Sequence, residues 1–219
     1  MTNDELLDTI YAARDRYAAS VGTVDPDVLA PVINPSFMGG PSWPNLRQAW
    51  RVIRRESTTV IMSDGLADPF MDEPDLNAGL GLEVLAETAD PLSSEPWQES
   101  WLLRLVYDVS QQCAHHGEVR SVIDRLGVIC LELPITAALE RFATDRDTAG
   151  VLLGITPPDF PSHFDVACGS VSIVTAKLLW PTEVDYAAEH RAEGRAELVR
   201  RFAADGTYHR SSLLRPSVV

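Results

Sequence analysis

The stretch Thr58–Phe70, TTVIMSDGLADPF, begins as an apolar, β-branched strand and then stops at two aspartate-led steps, Asp64-Gly65 and Asp68-Pro69. Both steps favour turns, glycine by permitting positive φ and proline by fixing its own φ and restricting the residue before it. A chain carrying this stretch must run through a sheet and leave it after Met62. Asp64-Gly65 is expected to supply the exit, with Gly65 at positive φ, while Leu66 and Phe70 tuck back onto the core. The acidic side chains of the loop are expected to stay in water, with Asp72, Glu73 and Asp75 more exposed than Leu66 and Phe70.

The rest of the chain alternates helix and strand signals without an internal repeat. Asn3 can cap a first helix running to about Ser20, whose apolar stripe is Leu6, Leu7, Ile10, Tyr11 and Ala13. A Pro/Gly-rich passage from Pro26 to Pro44 reads as an irregular ordered loop in which Phe37 and Trp43 have something to bury. Strands are expected at Trp50–Arg54, Thr58–Met62 and Leu80–Ala86. In the last, Leu80, Leu82, Val84 and Ala86 alternate with Gly81, Glu83 and Leu85, which puts Glu83 on the wetter face.

After Ser94, with Pro96 in the first turn, the residues Trp97, Trp101, Leu105, Val109 and Cys113 recur every four positions, as in a helix lying flat on a sheet and ending near Gly117. VICLEL, GVLLGI and VSIVTAKLLW read as strands, with a short helix from Thr136. Thr182–Ala204 reads as helical on either side of Gly194. Thr182 is its expected cap, Leu198, Val199, Phe202 and Ala203 its apolar face, and Asp205-Gly206 its stop. This interleaving lacks the regular spacing of a doubly wound sheet and indicates α+β.

Charge narrows the function classes. The formal net charge is -14, and from Glu56 to Leu103 there are eleven acids and no lysine or arginine. Nucleic acid and anionic membrane surfaces both call for clustered bases, so neither is an expected partner. The acidic N-terminus and the lack of an apolar run near the roughly 18 residues of a membrane span indicate a cytoplasmic chain. Cys113, Cys130 and Cys168 have no C-x-x-C spacing and read as small core residues rather than a disulfide framework or zinc site.

Motifs for chemistry are sparse. Gly79-Leu80-Gly81 lacks a third glycine and leads into a strand rather than a phosphate-binding helix. No nucleophile elbow, Walker loop or H-E-x-x-H helix occurs. His115-His116-Gly117-Glu118 reads as a solvated helix end, with the histidines favoured by the helix dipole. Asp64, Asp68, Asp72, Glu73 and Asp75 offer oxygen ligands but not in the order of a calcium loop. No cofactor and no metal are therefore expected.

The segments STTVIMSDGLADPF, GLGLEVLAET, AGVLLGITPPDF and VSIVTAKLLWPTEVDYAAEHRAEGRAELVRRF together resemble, in order and spacing, the bacterial suppressor-of-fused-like domain, although Ala67 stands where that family often has serine. The resemblance covers most of the chain from about Trp43. It implies a mixed, mostly antiparallel sheet flanked by helices. It also implies one domain over residues 1–219, with the helix 3–20 and the loop 26–44 as lead-in. It implies no catalysis and a protein-binding role. The animal relative holds a transcription factor peptide between this domain and a second one, for which this chain is expected to be too short.

The bacterial members imply a toxin-neutralising immunity protein, monomeric or homodimeric. Its acidic surface at Asp64, Asp68, Asp72, Glu73 and Asp75 would meet a basic toxin domain, with electrostatic steering of the encounter. Two other readings stay open: a metal-assisted hydrolase or transferase using acids of the 64–75 loop, and a structural subunit of a larger assembly.

Overall fold

The computed structural model describes residues 2–92 and 97–219. Ser94 and Pro96, on which the expected start of the second helix rests, lie outside them. Helix α1 (Asn3–Val21) is capped one residue earlier than expected: the Thr2 hydroxyl accepts from Glu5 N, and the Glu5 carboxylate accepts from Thr2 N.

The strands are β1 (Thr23–Leu29), β2 (Ala49–Arg54), β3 (Thr59–Asp64), β4 (Leu82–Thr88), β5 (Ile129–Pro134), β6 (Thr148–Leu153), β7 (His163–Val166) and β8 (Gly169–Leu178). They form one sheet of order β1-β2-β3-β4-β8-β6-β5, with β7 paired to β8. Only β4 and β8 run parallel; the other pairs are antiparallel. The remaining helices are α2 (Trp101–His116), α3 (Val119–Leu126) and α4 (Pro181–Ala204). The fold is α+β, a mixed and mostly antiparallel sheet flanked by helices.

Two faces of this sheet are dry. On one, Trp101, Leu102, Leu105, Val106, Val109 and Cys113 of α2 pack on Ile61, Val84, Ala86 and Val174. On the other, Ala13, Tyr17, Ala18 and Val21 of α1 meet Ile53, Val60, Met62 and Leu85. Alternate residues of β3 and β4 thus serve opposite faces, as the period of two requires. Leu152, Leu179, Val184, Leu198 and Phe202 make a third cluster under α4. Trp101 is buried as the helical stripe predicts.

Several expectations need correction. The Pro26–Pro44 passage is not wholly irregular: β1 includes Pro26, tolerated because β1 is an edge strand with a bulge between Val24 and Val28. Trp43 is buried edge-on against Trp50, but Phe37 lies largely in water. Of the cysteines only Cys113 is buried; Cys130 is exposed on the edge strand β5 and Cys168 is half-buried beside the β7–β8 turn. Strand β7 and helix α3 are further elements that local pattern alone did not announce.

The last helix starts at Pro181, before the expected cap at Thr182, and it breaks at Arg191 rather than at Gly194. Gly194 answers a different need. A Cβ there would sit 2.7 Å from His190 Cβ and 2.9 Å from Tyr186 O, so glycine lets the two halves of α4 close on each other.

Strand β3 does not leave the sheet after Met62 as expected but stays paired with β2 to Asp64, and Gly65 is the exit, at φ 144°, the positive φ that the Asp-Gly step predicts. A Cβ at Gly65 would lie 2.2 Å from the carbonyl oxygen of Arg47 and 3.1 Å from the Trp43 ring. Gly65→Val combines a backbone clash with an unfavourable φ and should lower the melting temperature far more than a surface substitution does. Thermal unfolding followed by circular dichroism checks this, and a melting temperature equal to the parent's contradicts the close packing.

Candidate functional site

The acidic loop divides at Pro69. Asp64 and Asp68 are fully buried, while Asp72, Glu73 and Asp75 are exposed. Leu66 is buried and Phe70 half-buried, so the predicted order of exposure holds for the outer acids. For Asp64 and Asp68 the expectation of a watery setting fails, and it fails for Glu83 on β4 as well. The alternation along β4 does place Glu83 opposite Leu82 and Val84. That opposite face is covered by α1 rather than by water.

Arg14 of α1 accounts for the burial. Its Nη1 lies 2.5 Å from Asp64 Oδ1, and its Nη2 lies 2.6 Å from Asp68 Oδ1 and 3.0 Å from Glu83 Oε1. Arg47 and Arg51 bind the other Asp64 oxygen at 2.6 and 2.7 Å. Three carboxylates therefore face three guanidinium groups. Glu83 also accepts from the Ser63 hydroxyl and, at 3.2 Å each, from the backbone N–H groups of Gly65 and Ala67.

The carboxyls of this cluster are not equivalent. Burial raises Asp64, but the hydrogen bond from Arg47 and the charges of Arg14, Arg51 and Arg47 outweigh it and hold the group well below the usual carboxylate range. Burial lifts Asp68, and Arg14 offsets this only in part. Burial pushes Glu83 up to about 7 against the pull of Arg14 and Ser63. The space between the three carboxylates, where a divalent cation would be held, is filled by the Arg14 guanidinium. The cluster is built to lock α1, the 65–68 turn and β4 together.

A signal for Arg14 does exist in the sequence. It falls in the apolar stripe of α1, four residues after Ile10 and three before Tyr17, both buried. A charged residue there needs a buried counter-ion.

A further buried carboxylate, Glu87, stands at the opposite end of β4. Thr58 Oγ1 donates to it at 2.5 Å, Arg55 Nη1 at 2.9 Å, and His209 Nε2 lies 2.6 Å away. Burial raises this carboxyl, but hydrogen bonds with His209 and Thr58 and the charges of His209 and Arg55 prevail and bring it to about 2.

The exposed acids share their end of the sheet with an unusual amount of apolar surface. Leu29 pairs with Trp50 and Ala49 with Asp64, so the segments 30–48 and 65–81 leave the sheet on the same side. Gly79 backs directly onto Pro44. Phe37 is 72% exposed, Met38 75% and Leu46 67%, and Val28, Val32 and Ile33 are also exposed. With Met71 and Leu76 of the acidic loop, this end holds eight of the eleven large apolar side chains that stand exposed among the described residues. Two hollows flank Ala30 and Pro31. One, of about 510 Å³, is lined by Val32, Phe37 and Leu46; the other, of about 230 Å³, by Trp50, Trp97 and Tyr107.

No protein-family model and no curated protein sequence matches the chain. Among solved structures, the crystal structure of the Sufu-Fu complex matches with a TM-score of 0.60 at 15% identity, over 97% of this chain and 92% of that one. The crystal structure of Drosophila Suppressor of Fused matches with a TM-score of 0.47 at 17% identity, over 74% of this chain and 39% of that one. The likeness to the first of these shows that the fold is suppressor-of-fused-like.

Two measurements probe the buried charges. Arg14→Met strips Asp68 and Glu83 of their cation and should cost about 3–5 kcal/mol in urea unfolding at pH 7. The deficit should shrink as pH falls towards 5, since the raised carboxyls then take up protons; a pH-independent deficit contradicts the charge origin. Glu87 behaves in the opposite sense. Its folded pKa is depressed, so the stability it contributes is present above its ordinary value of 4.5 and is lost as pH falls towards about 2. Parent and Glu87→Gln should thus differ at pH 6 and converge near pH 2, measured by urea melts across that range.

Proposed function

We propose that this chain is a non-catalytic protein-binding domain that neutralises a basic toxin-like partner, acting in the cytoplasm as one domain over residues 1–219. The observation that carries the reading is the gathering of exposed apolar side chains and exposed acids at one end of the sheet. An apolar patch of this extent is what a docking surface needs, because buried anchors supply most of the binding energy while a polar rim excludes water. Phe37, Met38 and Leu46 are the anchors. Asp72, Glu73 and Asp75 form the rim, and their field favours and steers a basic partner.

Support comes also from the likeness of the fold to a chain in the Sufu-Fu complex, a protein bound to a protein. Asp64 and Asp68 act on binding only indirectly, by fixing the turn from which the exposed loop starts. Among the described residues no helix is long and apolar enough to cross a membrane, in keeping with a partner met in solution.

The test starts from the gene beside this one. The reading expects it to encode a large secreted protein with a basic, toxic C-terminal domain, and expects co-expression of this chain to restore growth. Phe37→Ser with Leu46→Ser should speed dissociation from that domain and abolish rescue. Replacing Asp72, Glu73 and Asp75 with Asn, Gln and Asn should slow association and flatten its salt dependence, while changing dissociation less. Stopped-flow binding at two ionic strengths separates these effects. Equal rates for parent and both variants place the binding face elsewhere.

A further inference from the structure

The elbow of α4 encloses a cavity of about 320 Å³ against β5 and β6, away from the surface proposed for the protein partner. Its floor is apolar, from Leu131, Leu179, Val184 and Ala187, and its rim carries Arg146, Arg191 and Arg195 together with one carboxylate, Glu132, which Arg146 neutralises. Three arginines around one small hollow are out of keeping with a chain of net charge -14. Most of the other described arginines are spent on carboxylates or carbonyls of the chain.

Arg146 is occupied in the same way, at 2.6 Å from Glu132 Oε1. Arg195 donates only its Nε, at 2.9 Å to Val128 O, and among the described residues neither Arg195 nor Arg191 pairs with a carboxylate. The cavity thus offers two guanidinium groups with uncommitted donors above an apolar floor.

The backbone points the same way. Arg191 has φ 51° and ψ -126°, a conformation glycine takes readily and an arginine takes at a cost. Arg191, at the break, and Arg195, one turn further on, both border the cavity. Gly150 lets Val184 of α4 seat directly on β6: a Cβ there would lie 2.1 Å from Val184 Cγ2. Strain held at a non-glycine residue, where glycine would relieve it, marks a position whose side chain is wanted.

We infer that the α4 elbow is a binding site for a small organic anion, a carboxylate or phosphate ester whose charged group is held by Arg191 and Arg195 and whose apolar body rests on Leu179, Val184 and Ala187. Forked guanidinium donors suit the paired oxygens of such a group. The apolar floor selects against a bare inorganic ion.

Isothermal titration of the full chain at low ionic strength, with benzoate, phenyl phosphate and inorganic phosphate as probes, tests the site. Saturable binding of at least one aromatic anion is expected, with inorganic phosphate weaker by about tenfold or more. Arg191→Gly removes both the guanidinium and the strain, so it should leave the melting temperature unchanged or raised while weakening that binding about tenfold. Arg195→Gln should weaken it similarly and provides the same reading if the glycine variant does not fold. Absence of saturable binding by both aromatic anions, equal binding of inorganic phosphate, or binding by both variants at the parent's affinity would each overturn the inference.

Discussion

Burying an acid in this sheet requires bringing a cation to it. Asp64, Glu83 and Glu87 all lie on strands whose two faces are dry, and an isolated carboxylate there would carry a desolvation cost of several kcal/mol. Each is matched by a base from a distant part of the chain. Arg14 comes from α1 to Asp64, Asp68 and Glu83, and Arg55 and His209 come from the β2–β3 turn and the C-terminal segment to Glu87. A hydrophobic contact tolerates small shifts in register, but these pairs do not. Arg14 meets its partners only when α1 crosses the sheet in one position and the 65–68 turn closes in one way.

The sequence shows the strands and the principal helices because they follow simple periods: two along β3 and β4, about four along α2. It shows the turn at Gly65 because only glycine fits there. What it hides is which face is covered. The alternation around Glu83 was legible, yet whether the second face meets water or α1 is a tertiary fact, and the local pattern is the same in both cases. Asp64 and Asp68 were hidden for the same reason. Their turn chemistry explains them locally, and the arginine that takes them inside is some fifty residues earlier. Phe37 misled in the other direction, since an aromatic residue in an irregular loop has no period to tell an anchor for the core from one for a partner. The arginine rim at the α4 elbow was invisible because the helical pattern pointed to Gly194 as the break.

Charge is consequently partitioned rather than spread. Of the five acids in the 64–75 loop, the inner two are neutralised by arginines and serve the fold, while the outer three remain in solvent. The absence of any lysine or arginine between Glu56 and Leu103 has the same logic. The bases that the inner acids need arrive from α1, from β2 and from Arg47 just before β2, leaving none within the loop to cancel the field of Asp72, Glu73 and Asp75. A rim that stays charged beside an apolar patch follows from compensating the buried acids at long range.

The two ends of the sheet differ on this basis. At the end of β4 holding Glu87, the C-terminal segment closes the structure: Ser211 N donates to Glu87 O at 2.8 Å, Asp90 accepts from Ser212 and from Leu213 N at 2.6 Å, and Arg215 pairs with the buried Glu183 at 2.5 Å. That end is satisfied by the chain itself. At the other end, Asp64, Asp68 and Glu83 are satisfied within, but the segments anchored there run outward with apolar side chains that stand exposed among the described residues. The fold uses its charged pairs to hold one end shut and to hold the base of the other rigid. A rigid base is what an exposed apolar surface needs in order to bind without a large cost in ordering, so under the proposed function the buried Arg14 cluster would serve the docking surface without touching the partner.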